Sequence, residues 1–570
     1  MYIPTTKIEL KKLNWEKLDV IIVTGDVYID SPYDGAAAIG KWLIRNGYKV
    51  GIISQPTIES QEDILRLGRP KLFWGVTSGC VDSMVANYTA TKKRRKLDDL
   101  TPGGQNILRP DRASIKYVNL IRQYCKESIP IVIGGIEASL RRVAHYDYWD
   151  NKIRRSILFD SKADYLIYGM AEKSILEFAE AVKNNQNPKE IRGLCYISKS
   201  PKDEYIQLPS YEDVLSSNTK FIEMFELFYS NNEPNSSKGL CQKTGDRYLI
   251  HNPPQFYPTQ SEVDSYFDLD YEYDAHPFYK QKGKIKALET IKQSIITHRG
   301  CFGECNFCAI AVHQGRKVIS RSVHSVLQEA QRISNKPNFN GIIYDVGGPS
   351  ANMYGMDCKQ FDEHCTATRC LFPKKCKNLN NNHQKYLNLL EEIAQISKIK
   401  KIFISSGIRF DLLLNDSIYG DKFIQVLAEK YVSGQLKIAP EHISKNVLEA
   451  MGKIVRKEDI SLFRKKFMDY SKKAEKKQFL TYYFMAAHPG CSENDMVELK
   501  NFSKKELKIV PEQVQIFTPT PSTYSTLMYY TETNPITKKR IFVEKSNPNK
   551  QKQKDVLLNK IIRRKNNGSC

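Results

Sequence analysis

Strand-like and helix-like stretches alternate twice along this chain, and that pattern limits the fold to α/β units in tandem. In the first series "DVIIVTGD" (19–26) reads as a buried strand running into a turn, and "GAAAIGKWLIRNG" (35–47) as a helix ended by Gly47. "YKVGIIS" (48–54), "KLFWGVTS" (71–78), "IPIVIGGIEAS" (129–139) and "ADYLIYGMAE" (163–172) read as further strands. Residues 1–200 are therefore expected to form a doubly wound, Rossmann- or flavodoxin-like domain. Gly25, Gly134, Gly135 and Gly169 fall just past strand ends, where the crevice of such a sheet takes ligands.

Residues 201–285 are polar and rich in Asn, Ser, Tyr and Pro, and read as a connecting segment with little regular structure. From 286 a second series begins, with strand candidates "QSIITH" (293–298), "GIIYDVGG" (341–348), "KIFISSG" (401–407), "QLKIAP" (435–440), "FLTYYFMAAHPG" (479–490) and "QVQIFTP" (513–519). Six parallel strands with helices between them suit an incomplete β/α barrel over 286–525 better than a closed eight-fold one. Past about 525 the chain turns basic and Asn-rich, and 526–570 is expected to be a disordered tail.

With 570 residues the chain exceeds one ordinary core. No run of about 18 apolar residues marks a membrane span, and "MYIPTTKIELKKLNWEKLDV" lacks a secretory apolar stretch, which points to the cytoplasm. There thiols stay reduced, so thirteen cysteines suggest metal binding or catalysis more than disulfides. Lys+Arg 86 against Asp+Glu 64 gives +22, concentrated in "TKKRRK" (91–96) and after Lys538. That excess suits either a nucleic-acid surface or a solvated basic face, and the scattered Lys with accompanying Glu favours the second.

Cys301, Cys305 and Cys308 have the spacing C-x3-C-x2-C directly after a strand candidate. Structural zinc sites usually present C-x2-C pairs. A two-thiol redox motif leaves Cys301 unexplained. Three thiolates can instead hold three irons of a 4Fe-4S cluster and leave the fourth iron open to a non-protein ligand.

C-x3-C-x-aromatic-C after the first strand of a β/α barrel resembles the signature of radical S-adenosylmethionine (SAM) enzymes, with Phe307 in the aromatic place. "CFGECNFCAIAVHQGRKVISRS", "VGGPSANMYG" and "IAPEHISKNVLEAMGK" resemble the YgiQ family of radical SAM proteins, over about residues 15–535. The resemblance implies a partial (β/α)6 TIM-type radical SAM barrel, a 4Fe-4S cluster on Cys301, Cys305 and Cys308, and SAM on its open iron. It further implies reductive SAM cleavage to a 5′-deoxyadenosyl radical acting on an unknown substrate, and an electron donor such as flavodoxin or ferredoxin. Phe307 would pack on adenine, and Gly347 and Gly348 would offer backbone to the methionine amino group. Pro349 stands where the superfamily usually has Glu, which leaves polar contact there to backbone or Ser350. At the strand ends Ser405, Ser406 and Arg409, then Glu441 and His442, are candidates for ribose, SAM carboxylate and catalysis. His313, Gln314, Arg316 and Arg321 are candidates for cluster shielding or substrate contact, and His488 is a further strand-end candidate.

"CKQFDEHCTATRCLFPKKC" holds Cys358, Cys365, Cys370 and Cys376, with His364 as a spare ligand, and is a candidate second metal site for zinc or an auxiliary cluster. Its spacings match neither type, and reduced thiols are the alternative. The N-terminal stretch resembles the cobalamin-binding domain often joined to radical SAM barrels. In that family D-x-H-x-x-G supplies a cobalt ligand, whereas this chain has Asp30-Ser31-Pro32-Tyr33-Asp34-Gly35, so cobalamin would have no histidine from this motif. "SGCVDSMVANYTATKKRRK" (78–96) inserts a loop that can enter the pocket or reach a substrate.

Two other functions remain open at this level. "QLKIAPEHISKNVLEAMGK" and "IFTPTPST" resemble stretches of radical SAM methylthiotransferases acting on tRNA, which makes nucleic acid a candidate partner. A non-catalytic iron–sulfur or zinc protein is the reading from another class. No membrane partner is expected.

Overall fold

The computed structural model of the chain describes residues 1–358, 365 and 369–558. His364, the spare ligand of the second cysteine group, and the chain end from 559 lie outside these residues. Among the described residues no helix is long and apolar enough to cross a membrane.

The first half is built on a nine-stranded sheet. Its strands are β1 (Val20–Thr24), β2 (Val50–Ser54), β3 (Phe73–Thr77), β4 (Ile131–Gly134), β5 (Tyr165–Ile167), β6 (Leu194–Ser198), β7 (Ile206–Leu208), β8 (Leu240–Thr244) and β9 (Arg247–His251). Their order is 7-8-9-6-5-4-3-1-2. Strands β1 to β5 are parallel. All five residues of β1 are buried, as a strand covered by helices on both faces requires. From β5 outward the pairs β5–β6, β6–β9 and β9–β8 are antiparallel, and the edge strand β7 pairs with β8 in parallel.

Segment 201–285, expected as a loosely structured connection, instead completes this sheet. β8 and β9 form a hairpin in which Thr244 pairs with Arg247 across Gly245-Asp246, and Gly245 takes φ +60°. The helix Asn218–Ser230 buries Phe221, Met224, Phe225 and Phe228. That spacing follows the helical period, but abundant Asn, Ser and Pro on either side hide it in the sequence.

The second half is an open arc of parallel strands: β10 (Ser294–Ile296), β11 (Asp345–Gly347), β12 (Lys401–Ile402), β13 (Gln435–Glu441), β14 (Phe479–Ala486) and β15 (Gln513–Ile516). β10 pairs with β11; Ile342–Ile343, just upstream, pairs with β12; a bridge from Ile408 to Ile438 leads to β13, then β14 and β15. Space therefore follows chain order, with helices such as Val323–Ser334 and Gln384–Ala394 between strands.

The two halves meet at the C-terminal ends of their strands. Arg299 pairs with Glu172 at 2.6 Å, His313 Nδ1 lies 3.1 Å from Ser139 Oγ, and Ser522 Oγ donates to the Leu140 carbonyl at 2.8 Å.

The region past 525, expected to be disordered, is ordered as far as it is described. The helix Asn547–Leu558 buries Lys550, Gln553 and Leu557. The Lys550 ammonium sits between the hydroxyls of Tyr148 (3.2 Å) and Tyr529 (2.8 Å), and the Gln553 carbonyl accepts from Ala487 N at 2.9 Å. Basic composition masked a helix whose inward face is two polar anchors and one leucine. Leu557→Ala should therefore lower stability by about 2–5 kcal/mol, read as a drop in the chemical-denaturation midpoint of the full chain; an unchanged midpoint would contradict this packing.

Candidate functional site

The loop from Gly300 to Val318 is closed at its base by a short antiparallel ladder, His298 with Ser320 and Arg299 with Ile319. Gly300 has φ +81°, and a Cβ there would lie 1.8 Å from the Lys317 carbonyl, so only glycine allows the loop to close. Inside it, Cys308 N donates to Cys305 O at 2.9 Å, and Asn306 is held by Met451 O and Ala450 O, both at 2.8 Å. These bonds fix three thiols relative to each other. Gly303 N donates to Cys301 Sγ at 3.4 Å, and a Cβ on Gly303 would lie 3.2 Å from Cys301 Sγ and 3.8 Å from Cys305 Sγ.

The thiols are crowded by like groups. Burial first, then repulsion from Cys305 and Cys301, pushes Cys308 up to about 12. Burial and Cys305 raise Cys301 too, against the pull of Arg409. Arg409 binds Asp411 at two points (2.8 and 2.5 Å) and turns Nη1 toward Cys305 Sγ at 4.0 Å. Its backbone is pinned to the Asn352 amide, which also contacts His383. Expected as a partner for a SAM carboxylate, Arg409 is instead committed to Asp411 and faces the thiols. Three thiolates, each free to take its own iron, beside one buried cation fit a 4Fe-4S cluster. Among the described residues no three His, Cys, Asp or Glu side chains converge on a point where one metal ion would sit.

Strand ends complete the site. The Asp345 carboxylate accepts from Ser405 N (2.8 Å) and Ser406 N (2.9 Å) and from the Ser406 hydroxyl, tying β11 to the segment after β12. A Cβ on Gly347 would lie 2.8 Å from Ser406 Oγ, and one on Gly348 would lie 2.6 Å from the His298 ring. Both glycines are thus dictated by packing as well as by any ligand. Glu441 ends β13 at a register shift with φ +71°, a conformation costly for a side chain. Burial raises its carboxyl, while Lys453 and Arg409 act to lower it, and its charge reaches Cys308. Phe307 packs edge-on against His488 at 6.2 Å.

A partly open cavity of about 480 Å³ lies between the two halves, lined by Tyr33 and Cys80 from one side and His298, His313, Gly348 with Pro349, and Ser406 from the other. Most of its wall is apolar. A second cleft of about 1130 Å³ opens behind the cysteine loop, lined by Glu304, Arg316, Cys365 and Arg369 among others. The short helix Ile310–Gln314 separates the two: Ile310 and His313 face the first, Ala311 and Val312 the second.

Several expected site residues are already engaged by neighbouring residues, although Gln314 lines the first cavity and Arg316 the second. His442 is fully buried, accepts from Ser444 N at 3.0 Å, lies 3.8 Å from Cys491 Sγ, and is held near pKa 4 by burial, so the structure does not place it at either cavity. His488 is bonded to Ser525 at 2.6 Å and to Pro489 O. Arg316 pairs with Glu233 at 2.8 Å, and Gln314 accepts from Gly300 N. Arg321 is fully buried against Glu329, Ser325 and the Ile296 carbonyl, bracing β10 from within. In the second cysteine group, burial and then Glu304, with Cys365 and Cys358 also contributing, push Cys370 up to about 12. Cys376 N donates to Cys370 O at 2.8 Å, and both side chains pack with Cys301 around Phe302 and Leu371. Cys358 bridges to Leu379. Single-ion zinc coordination by this group has no convergent set among the described residues.

Sequence reasoning passed over Asp345 and His298; Cys80 belongs to the 78–96 loop expected to enter the pocket, and it lines the cavity together with Tyr33 of the 30–35 segment. Asp345 stands two residues before Gly347 inside an apolar strand, and that buried charge was the available signal. The other three become neighbours only once the two halves face each other.

A family profile described as "Radical SAM N-terminal" matches residues 2–294, and one described as "Domain of unknown function (DUF3362)" matches 512–567. A UPF0313 protein of Fusobacterium nucleatum is 53% identical over 567 residues, 99% of this chain and 100% of that protein. UPF0313 proteins of Clostridium botulinum (47%; 98% of this chain, 87% of that protein) and Thermotoga neapolitana (46%; 98% and 98%) are also similar. Among solved structures the fold is similar to that of TsrM from Kitasatospora setae, a radical S-adenosylmethionine methyltransferase with cobalamin and a 4Fe-4S cluster bound. That match has TM-score 0.54 and 14% identity and covers 90% of this chain and 74% of that one. It is also similar to OxsB, a cobalamin-dependent S-adenosylmethionine radical enzyme with aqua-cobalamin bound, at TM-score 0.52 and 13% identity, covering 92% and 57%.

Arg321→Met should destabilise the chain by about 3–5 kcal/mol because it strands the Glu329 carboxylate, whereas adding Glu329→Leu should recover most of that loss. Thermal unfolding of the single and double variants measures both. A double variant no better than Arg321→Met would refute the ion-pair account.

Proposed function

The chain belongs to the UPF0313 family of radical SAM proteins, and from that premise we propose that it is an enzyme that cleaves SAM reductively on a 4Fe-4S cluster. The observation that carries the reading is the loop that gathers Cys301, Cys305 and Cys308 beside Arg409, next to a cavity bounded by Gly348, Pro349 and Ser406. When bound, the cluster supplies the electron that turns SAM into methionine and a 5′-deoxyadenosyl radical. The chain's own residues do the rest. Cys301, Cys305 and Cys308 would hold three irons of the cluster, and the Arg409–Asp411 pair brings a fixed cation to their sulfurs. Asp345 locks Ser406 in place, and Gly348, which lines the cavity, is the glycine whose backbone a ligand could meet. Phe307 gives the loop an aromatic face. We read the arc β10–β15 as a partial (β/α)6 barrel and its closure by the N-terminal half as the means of excluding water. The electron comes from a small donor such as flavodoxin or ferredoxin.

Cobalamin, which the TsrM and OxsB structures contain, does not fit the residues here. Asp30 is committed to Lys41 at 2.9 Å, to Tyr28 OH at 3.0 Å and to Glu272 N at 3.0 Å. The loop that follows offers Pro32 and Tyr33, and Tyr33 itself lines the cavity. No step is therefore derived through cobalamin.

One observation favours RNA as the class of substrate. Lys92 and Lys550, 458 positions apart, both lie over the Tyr148 ring, at 4.9 and 5.1 Å. They bring "TKKRRK" and the C-terminal helix to one face beside Tyr88 and Trp149. Among the described residues Lys93, Arg95 and Lys96 make no ion pair, so their charges are available to phosphates. Binding of bulk tRNA should weaken with added salt, and Lys93→Glu with Lys96→Glu should flatten that slope by roughly 2. A salt-independent affinity would remove RNA from the reading.

The enzymatic reading itself is tested by anaerobic reconstitution with iron and sulfide. Wild type should hold about four irons per chain and form 5′-deoxyadenosine from SAM and dithionite. Replacing Cys301, Cys305 and Cys308 by Ala should remove both the brown chromophore and the product. SAM cleavage by the triple variant would sink the assignment.

A further inference from the structure

The cavity between the two halves contains a thiol that the chemistry so far leaves unused. Cys80 follows β3 in a loop pressed onto the end of β1. A Cβ on Gly25 would lie 2.2 Å from the Ser78 carbonyl, and Gly79, at φ +107°, has its Cβ position 2.3 Å from the Asp26 carboxylate. Asp26 accepts the Cys80 N–H at 2.6 Å and is held in turn by Arg109 at 2.7 Å, which also binds Asp98. Two glycines and a buried ion pair therefore fix this one cysteine.

Its thiol donates to Tyr33 O at 3.4 Å and lines the cavity. Cys80 is exposed although it is deeply surrounded, because the surface it exposes is cavity wall. Burial, then the charges of Asp26 and Asp34, keep the thiol protonated well above the usual range. A thiolate is the nucleophile and the metal ligand, and this environment suppresses it. A second group marks the cavity as a ligand site: His298, fully buried, lines the same space, and its Nε2 has no hydrogen-bond partner. An orphaned buried nitrogen of this kind carries a desolvation cost that a ligand group would relieve.

We propose that the Cys80 thiol is the hydrogen-atom donor to a carbon radical formed in this cavity. The inference rests on the radical reading above and adds to it where the hydrogen atom returns. The S–H bond breaks homolytically, a C–H bond forms on the radical carbon, and a thiyl radical remains on Cys80. S–H is the weaker of the two bonds, so the transfer runs downhill. One electron from a small one-electron donor, of the class that also reduces the cluster, and one proton from solvent restore the thiol. The role needs a protonated sulfur at a fixed place, and the Asp26–Arg109 pair, with the burial around it, provides both.

The test uses SAM itself as the probe. The reconstituted full-length chain is given SAM and dithionite in deuterium oxide without added substrate, and the deuterium content of the 5′-deoxyadenosine is read by mass spectrometry. With no substrate between them, the radical meets the cavity wall, and wild type should yield deuterated product. Cys80→Ser should lose the label although serine keeps an exchangeable proton, because an O–H bond is too strong to give up its hydrogen atom here. Cys125→Ser, a change remote from the cavity, should keep it. Label retained in Cys80→Ser, or lost in Tyr33→Phe instead, would overturn the proposal. A separate arm needs no turnover: alkylation of Cys80 by iodoacetamide, slow because its thiol stays protonated and therefore followed at alkaline pH by peptide mass spectrometry, should slow further when SAM is bound, and an unchanged rate would place Cys80 outside the ligand site. Absence of 5′-deoxyadenosine from wild type would defeat the radical reading itself, while the protection arm still reports where Cys80 lies.

Discussion

Mutual repulsion of three thiols, held together by a loop that cannot relax, is the constraint on which this architecture depends. Burial first, and then the charge of the neighbouring sulfurs, makes Cys301 and Cys308 resist ionising. Ladder pairs at 298–299 and 319–320 close the loop, and Asn306 anchors it to the helix after β13. The loop holds the three sulfurs together while leaving each cysteine partly exposed. Positive charge is what such a set requires, and the fold already places one cation there, Arg409, oriented by Asp411. Iron would supply the rest.

The neighbouring strand ends follow from the same crowding. Asp345, Ser405 and Ser406 draw the second and third strands together, which leaves Gly347 no room for a side chain; His298 does the same to Gly348. A sequence reader sees a glycine pair and assigns it to ligand contact. The structure adds that the pair is equally a consequence of two side chains, one acidic and one imidazole, already occupying the space.

How much was legible depended on the range of the interactions. β1, β2 and β3 could be read from apolar runs bounded by turns, because their burial is written into consecutive residues. The cysteine triplet could be read from spacing alone. The hairpin at Gly245 and the helix over 218–230 were missed because composition was weighed above period. The helix over 547–558 was missed for the same reason, since its buried face holds a lysine and a glutamine whose partners, Tyr148 and Ala487, are remote in sequence. His442 and Arg321 looked functional as polar residues at strand ends or after a motif. Only three-dimensional packing shows that one accepts from a helix N-terminus and the other neutralises Glu329. Cys80 and Tyr33 lie in segments already singled out, but their place on the cavity wall depends on the half of the molecule they face.

The imidazoles around the strand ends argue in the same direction as the cysteines. Burial holds His298, His313 and His442 near pKa 4 and His488 near 3, so all four are neutral from mildly acidic pH upward. A general acid or base works best when its pKa lies near the operating pH. None of these four meets that condition, and of them only His298 and His313 line the cavity. Glu441 and Asp345, the nearby carboxyls, are raised by burial but engaged with Arg409 and Lys453 or with the serines. The site thus keeps its protons still while enclosing a mostly apolar space. Hydrogen-atom transfer moves proton and electron together and needs no titrating shuttle. A chamber whose imidazoles do not ionise, with one protonated thiol on its wall, is built for that kind of transfer.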